Sequence, residues 1–229
     1  MMKHLVVLTG AGISAESGLK TFREQGGLWE SYDVMEVASY DGWVKNMELV
    51  LRFYNDRRRQ LENAKPNAGH IGLAELEKHF EVSIITQNVD DLHERAGSKN
   101  ILHLHGELVK ARSIKDPDYI IKIGYKDINP GDLCPKGGQL RPHIVWFGEP
   151  VPAIEQAIEI TSQADIFVVI GSSLNVYPAA GLIEYAPKES QLFLIDPNPV
   201  TNYSNRKLEI IKEKAGNGVV ILKEKLIQN

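Results

Sequence analysis

The sequence has little cysteine, no long apolar run and no strong excess of charge. Its single cysteine among 229 residues excludes an internal disulfide framework. No apolar run approaches the roughly 20 residues that a membrane span needs, and residues 1–10 lack a signal-peptide pattern. The net charge of −4 argues against a protein that binds nucleic acid mainly by electrostatics. We therefore expect a cytoplasmic protein with no nucleic-acid or membrane partner.

What the sequence does contain is a series of short apolar runs separated by helical patterns. Most runs are continuous rather than alternating, which is typical of parallel strands that are buried on both faces. The predicted strands are 5–8, 82–86, 101–104, 144–147, 166–170, 192–195 and 219–222. Helical periodicity lies between several of them, over 68–80 and 152–164. The alternation predicts an α/β fold with a doubly wound, Rossmann-like parallel sheet.

Two stretches interrupt this alternation. Residues 30–64 contain no clear strand and have a helical pattern, whereas residues 107–140 are rich in Lys, Asp, Gly and Pro with little periodicity. We expect both to be insertions that together form a smaller lobe. The predicted Rossmann-like domain is then 1–29, 65–106 and 141–229.

A glycine-rich turn follows the first predicted strand. Gly10, Gly12 and Ala15 form a G-x-G-x-x-A pattern, which brings backbone amides close to a pyrophosphate in dinucleotide sites. Ser14 adds a hydroxyl donor nearby. The same pattern also fits a tight strand–helix turn without a ligand, but the loop that follows it, with Phe22 and Arg23, has no obvious core role.

Polar side chains follow other predicted strands, at the edge where ligands bind in open α/β sheets. Gln87, Asn88 and Asp90 follow the second strand, although Asn88 or Asp90 could instead cap the next helix. Small hydroxyl residues at 171–173 and the acid at Asp196 suit phosphate and ribose contacts. Ordinary turn chemistry explains the stretch 196–199 equally well.

Two histidines end the third predicted strand. His103 and His105 are two residues apart and therefore share a face of the strand. A histidine is the natural general base near neutral pH, although a lone histidine more often has a structural role.

These motifs together resemble the sirtuins, the NAD-dependent protein-lysine deacylases. The resemblance rests on five ordered matches that extend from residue 10 to beyond residue 170: Gly10-Ala-Gly-Ile-Ser-Ala-Glu-Ser-Gly18 with Phe22-Arg23, Gln87-Asn-Val-Asp90, His105-Gly106, Val145-Trp-Phe-Gly-Glu149 and Gly171-Ser-Ser173. It implies that the loop after the phosphate turn covers NAD while nicotinamide is removed.

The resemblance also implies a mechanism and a set of site residues. The acyl oxygen attacks the ribose as nicotinamide leaves, and His105 then acts as the general base on a ribose hydroxyl, giving free lysine and O-acyl-ADP-ribose. An acyl-lysine peptide would lie between Val145, Phe147, Gly148 and Glu149 on one side and Val176 on the other. The predicted NAD contacts are Gly10, Ala11, Gly12, Ser14, Phe22, Arg23, Trp29, Gln87, Asn88, Asp90, Gly171, Ser172, Ser173, Asp196, Pro197, Asn198 and Gly216.

The sequence departs from the family pattern in three places. The family commonly has a structural zinc site of two C-x-x-C pairs, but here only Cys134 is present and Ser113 stands where a first-pair cysteine is expected. One thiolate cannot make a Cys₄ site, so we predict no metal and expect packing alone to hold residues 107–140. Lys20 replaces a usual proline, and Asp196 replaces a usual asparagine, which should disfavour NADP.

The acyl group that the protein prefers has its own indication. Tyr54 and Arg57 are three residues apart and share a helix face. In the sirtuin subclass that removes succinyl and malonyl groups, a Tyr-x-x-Arg pair at this place binds the acyl carboxylate. A guanidinium recognises a carboxylate in bidentate fashion and a phenol adds a donor. A solvated basic helix face is the other interpretation of this stretch.

Two other functions remain open at the level of the sequence. A protein ADP-ribosyltransferase also begins with the loss of nicotinamide, but the intact His105 favours deacylation. A catalytically weak NAD-sensing module would be consistent with the altered small lobe and with Lys20.

Overall fold

In the computed structural model, which describes residues 2–19, 32–174, 176–199 and 207–227, two sheets organise the chain. The larger sheet has six strands in the order β3-β2-β1-β7-β8-β9, all parallel. The smaller is an antiparallel sheet in the order β5-β4-β6. The strands are β1 His4–Thr9, β2 Glu81–Thr86, β3 Ile101–His103, β4 Gly106–Ser113, β5 Ile120–Lys122, β6 Leu140–Ile144, β7 Ile166–Ile170, β8 Gln191–Ile195 and β9 Leu208–Ile211.

Helices cover the large sheet and build the smaller lobe. The α-helices are α1 Val34–Val37, α2 Tyr40–Lys45, α3 Met47–Asn63, α4 Ala68–Leu76, α5 Leu92–Ala96, α6 Ile154–Thr161 and α7 Ala215–Ile227. Two 3₁₀ helices span Ala11–Ser17 and Ala179–Tyr185. Within the described ranges, no helix combines the length and hydropathy required to cross a bilayer.

The continuous apolar runs are explained by burial on both faces of the large sheet. Leu5 and Val7 pack into the layer that contains α4 and α7, whereas Val6 and Leu8 pack into the layer on the opposite face with α6. Since successive side chains of a strand point to opposite faces, both sets must be apolar. The predicted α/β fold with a doubly wound sheet is confirmed. The domain boundaries within it stay a prediction.

Two predicted strands are wrong. Residues 219–222 lie in α7, where Val219 and Leu222 are fully buried while Val220 is half exposed. This three-residue spacing is helical, and a four-residue apolar run cannot by itself distinguish a strand from a buried helix. The strand predicted over 144–147 ends at Ile144, and the Trp146 N–H beyond it donates to the Glu149 carboxylate rather than to a neighbouring strand.

The smaller lobe is held by more than packing, which corrects the expectation for residues 107–140. This stretch contains β4 and β5, and α3 binds it through polar contacts. Asn55 of α3 donates from Nδ2 to the Ile128 carbonyl and accepts from the Ile128 N–H, both at 3.0 Å. Arg59 pairs with Asp127 at 2.6 Å. An apolar cluster shared by α1–α3, β4 and β6 completes the lobe.

Replacing Asn55 tests this attachment. We expect Asn55→Ala to lower the free energy of unfolding by about 1–3 kcal/mol, because both backbone groups of Ile128 lose their partner in a buried position. Asn63→Ala on the same helix is the matched control, since its side chain is exposed and bonds only to the Arg59 carbonyl; it should change stability by less than about 0.5 kcal/mol. Denaturant unfolding of the two variants measures the difference, and equal effects would contradict it.

Candidate active site

The loops after β1 and β7 touch at the point where the strand order reverses. The Gly10 N–H donates to the Ile170 carbonyl and the Gly12 N–H donates to the Gly171 carbonyl. A Cβ on Gly12 would lie 2.6 Å from the Gly171 Cα, so a side chain has no room there. The amides of Gly10 and Gly12 thus hold the two loops together, and any contact of this turn with a phosphate stays a prediction.

A cleft of about 480 Å³ opens at this edge of the sheet, a size typical of small-molecule sites. It brings together most of the predicted site residues. Those that line it are Gly10, Ala11, Gly12, Tyr54, Arg57, Gln87, Asn88, His105, Val145, Phe147, Gly148, Glu149, Gly171, Ser172, Ser173, Val176, Asp196 and Asn198.

Other predicted residues lie elsewhere. Ser14 and Asp90 line a smaller adjoining cavity of about 30 Å³. Pro197 is exposed outside the cleft lining, and Gly216 is also outside it, where its N–H donates to Glu16 at 2.8 Å. Phe22, Arg23 and Trp29, together with Lys20, lie outside the described residues.

The loop after β2 is tied to the phosphate turn through its side chains. Asn88 donates from Nδ2 to the Gly10 carbonyl and to Ser14 Oγ, both at 3.1 Å. Ser14 Oγ in turn donates to Asp90 at 2.9 Å. Gln87 donates to Ser172 Oγ at 2.9 Å, which links the loops after β2 and β7. These contacts fix the side chains of Gln87, Asn88 and Ser172 in the lining of the cleft.

Asp90 also bonds to the next helix. Its Oδ1 accepts from the N–H of Leu92, the first residue of α5, while the N-cap position itself is Asp91, whose side chain makes no capping bond. Burial raises the pKa of the Asp90 carboxyl, although the hydrogen bonds from Ser14 and the Leu92 N–H oppose the shift.

His105 is arranged to act as a base. Its Nδ1 lies 3.0 Å from the Gln87 carbonyl, which can only accept, so the ring proton sits on Nδ1 and the Nε2 lone pair is available in the cleft. Burial lowers the pKa of His105, with the Gln87 hydrogen bond opposing. The ring is therefore neutral near pH 7, as a general base must be.

The same cleft is lined by Tyr54 and Arg57 of α3, and Arg57 also lines the smaller cavity beside Asn88 and Asp90. Trp146 Nε1 donates to the Tyr54 hydroxyl at 3.0 Å within a buried contact. Burial raises the pKa of Tyr54 to about 12, against the lowering effect of the Trp146 hydrogen bond. Arg57 is half-buried, with its guanidinium carbon 5.6 Å from the centroid of the Phe53 ring. Burial lowers the pKa of Arg57.

Glu149 holds the segment that carries Trp146. Its carboxylate accepts from Arg112 at 2.9 Å, from Arg141 at 2.7 and 3.0 Å, and from the Trp146 N–H at 2.8 Å. Burial alone would raise the pKa of Glu149, but the bonds from Arg141 and the Trp146 N–H outweigh it and keep the pKa below its usual range. Arg141 also stacks on the Trp146 ring at 3.3 Å.

The sequence reasoning missed several residues that matter here. Trp146 stands inside the quoted motif, and a tryptophan beside a predicted ligand segment is a signal for a buried donor. Phe53 also lines the cleft. Glu94, the partner of His103, had no recognisable signal, because the pairing joins a helix to a strand.

The comparisons with known proteins agree with this geometry. The profile described as "Sir2 family" matches residues 10–178. The chain belongs to the Sir2 family. A protein of Bacteroides thetaiotaomicron named "NAD-dependent protein deacylase" is 55% identical over 99% of both chains, and one of the same name from Helicobacter pylori is 55% identical over 99% of both chains.

Solved Sir2 structures share the whole fold. A mutant Sir2 homologue in complex with ADP-ribose is 38% identical, with a TM-score of 0.88 over 100% of this chain and 95% of that chain. A Sir2 homologue in complex with NAD is 38% identical, with a TM-score of 0.87 over 98% and 91%. A Sir2 mutant with a deacetylated p53 peptide and 3′-O-acetyl ADP-ribose is 30% identical, with a TM-score of 0.84 over 98% and 94%.

The protonation state of His105 predicts the acid side of the pH profile. Because the neutral ring is the base and burial lowers its pKa, activity should be retained down to a pH below the ordinary histidine value of about 6.5 and then fall. His105→Ala should reduce acyl transfer by about 100-fold or more while NAD still binds. Measuring kcat/KM against pH, and NAD binding by the variant, checks both; an acid limb centred above that value, or retained turnover, would contradict the assignment.

Proposed function

We propose that this chain removes acyl groups from protein lysines in an NAD-dependent reaction and prefers acyl groups that end in a carboxylate, such as succinyl and malonyl. The observation that carries the proposal is that a neutral, oriented His105 and the Tyr54–Arg57 pair line one and the same cleft. The names of the relatives and the ligands of the solved structures support the NAD-dependent deacylation.

The residues of the cleft fit NAD. Amide, hydroxyl and carboxylate groups of Gln87, Ser172, Asp196 and Asn198 match the ribose hydroxyls and the amide of a dinucleotide. When bound, NAD offers a ribose carbon that the acyl oxygen attacks as nicotinamide leaves. His105 Nε2 then accepts a proton from a ribose hydroxyl, while its Nδ1–H keeps the ring oriented on the Gln87 carbonyl. Asn88 and Asp90 are the residues that we expect to contact the nicotinamide group.

The donors that Tyr54 and Arg57 place in the cleft support the acyl preference. The Tyr54 hydroxyl accepts a hydrogen bond from Trp146 Nε1, so its own O–H points elsewhere and can donate to a ligand. Because its pKa is about 12, Tyr54 keeps that proton at neutral pH. Arg57 adds a cation within the same partly dehydrated space, where a charge-assisted hydrogen bond to a carboxylate is strong.

Removing the Arg57 guanidinium tests the acyl preference. Arg57→Ala should lower kcat/KM for a succinyl-lysine peptide by about 10- to 100-fold, because a hydrogen-bonded charge partner is lost, and should affect the matched acetyl-lysine peptide far less. Turnover of both peptides with NAD measures this. Arg52→Ala, an exposed arginine on the same helix, is the control and should not change the ratio.

The outcomes separate the parts of the proposal. Equal wild-type rates on the two peptides would retain the deacylase and remove the carboxylate preference. Turnover of neither peptide, with NAD still bound, would favour the NAD-sensing module. ADP-ribosylated protein as the main product would favour the transferase instead.

We also propose that the smaller lobe needs no structural zinc. The positions that C-x-x-C pairs would occupy include Ser113, Asp116 and Cys134, and these groups bond to one another or to neighbours. Ser113 Oγ donates to Cys134 Sγ at 3.2 Å, and Asp116 pairs with Lys136 at 2.8 Å. A single thiolate with a hydroxyl and a carboxylate already paired does not fit a tetrahedral thiolate site.

Chelation tests the zinc proposal. A strong zinc chelator should leave the unfolding temperature and the deacylase activity unchanged. The reason is that the Ser113–Cys134 hydrogen bond and the Asp116–Lys136 ion pair already occupy the groups at these positions. Elemental analysis of the purified protein should find zinc well below one equivalent per chain, and added zinc should not raise the unfolding temperature. A stoichiometric metal whose removal lowers the unfolding temperature would overturn the proposal.

The direct substrates of the proposed reaction are acyl-lysine peptides or proteins. The absence of direct nucleic-acid binding and a cytoplasmic location remain proposals, supported by the net charge of −4 and the single cysteine. Discrimination against NADP by Asp196 also remains a proposal, supported by its place in the cleft lining.

A further inference from the structure

Three consecutive carbonyls of the loop after β2 are bound by groups from residues 103–108. His105 Nδ1 lies 3.0 Å from the Gln87 carbonyl and His103 Nδ1 lies 3.1 Å from the Asn88 carbonyl. The Leu108 N–H donates to the Val89 carbonyl at 2.8 Å. The loop that carries the Asn88 and Asp90 side chains is therefore held at three successive backbone positions.

The two histidines differ in what their other ring nitrogen faces. His105 presents Nε2 to the cleft, whereas His103 Nε2 lies 2.7 Å from Glu94 Oε1 of α5. The His103 side chain is only 9% exposed, so water competes little for its contact with the Asn88 carbonyl, whereas the Glu94 side chain is 41% exposed. A carbonyl and a carboxylate both accept hydrogen bonds, and each His103 nitrogen therefore needs a proton.

We propose that Glu94 and His103 form a positioning pair for the NAD reaction. Glu94 keeps His103 doubly protonated, and the His103 Nδ1–H holds the Asn88 carbonyl so that the Asn88 and Asp90 side chains stay in place. The pair concerns the deacylation machinery of the proposed function and is independent of the acyl preference.

The charges around His103 agree with this assignment. Burial lowers the pKa of His103, but the hydrogen bond and the charge of Glu94 outweigh it, and the net pKa is raised. Burial likewise raises the pKa of Glu94, while the bond to His103 outweighs this and lowers it. The other ionisable groups whose charges bear on the pair are Asp90, His93, Glu107 and Lys110.

The Glu94–His103 pair should make the binding of NAD weaker at alkaline pH, because His103 then loses one of its two protons. Below the raised pKa, both His103 nitrogens carry protons and both contacts are satisfied. Above it the ring loses one proton, and the Glu94 carboxylate retains the Nε2–H. The Nδ1 lone pair then faces the Asn88 carbonyl oxygen, which is repulsive, so the loop is released as the pH rises.

Glu94→Gln changes this outcome without removing the side chain. A carboxamide can turn its NH₂ toward Nε2, so that a neutral His103 keeps its proton on Nδ1 and continues to hold the loop. The weakening of NAD binding at alkaline pH should therefore occur in the wild type and not in Glu94→Gln. If Glu94 only stabilised the fold, the variant would instead be the weaker of the two.

The kinetic test measures KM for NAD and kcat against pH with a fixed acyl peptide. The wild-type KM should rise by about fivefold between about pH 7 and about pH 9, from the loss of one hydrogen bond, with kcat changing less. Glu94→Gln should show no such rise. Glu155→Gln, an exposed acid on α6, should follow the wild type. Superimposable profiles for wild type and Glu94→Gln would overturn the proposal.

The spectroscopic test does not need turnover, so its failure is distinguishable from failure of the proposed function. Long-range ¹H–¹⁵N correlation spectra report the protonation of each histidine nitrogen, with His103 assigned from His103→Gln. At about pH 7, both His103 nitrogens should be protonated in the wild type and only Nδ1 in Glu94→Gln, whereas His105 should carry a single proton on Nδ1. A neutral His103 in the wild type would overturn the pair even if Glu94→Gln failed to fold.

Discussion

Gly12 and Gly171 bring the ends of β1 and β7 into backbone contact that leaves no space for a Cβ. This contact closes the bottom of the cleft at the point where the strand order reverses, and the other loops are placed relative to it. Asn88 reaches the Gly10 carbonyl and Gln87 reaches Ser172, so the loop after β2 is joined to both sides of the contact. His105 then takes its orientation from the Gln87 carbonyl. The orientation of the His105 ring therefore traces back to a backbone contact between two glycines.

Much of this arrangement could be predicted from the sequence, because the signals are local. Continuous apolar runs identify strands buried on both faces, and polar residues directly after such runs must meet at one edge of a parallel sheet. The grouping of Gly10, Gln87, His105 and Ser172 follows from that rule. The helical character of residues 30–64 was also predictable from their pattern, and the described part of this stretch contains three helices and no strand.

The rest depended on contacts between residues far apart in the chain. The run at 219–222 has no local feature that separates a strand from a buried helix, and the sheet leaves only helix packing for it. The attachment of Asn55 to Ile128 and the bond from Trp146 to Tyr54 join residues separated by 73 and 92 positions. The Glu94–His103 pair links a helix to a strand end. Such pairings become visible only once the two sheets are in place.

The walls of the cleft come from different parts of the fold. Tyr54 and Arg57 lie on α3, whose buried face packs in the cluster of the smaller lobe, whereas the loops around Gly10, Gln87 and Gly171 belong to the large sheet. Substitutions on the buried face of α3 can therefore shift one wall of the cleft while the loops of the large sheet keep their contacts with one another. The shape of the cleft thus depends on the apolar cluster of the smaller lobe as well as on the large sheet.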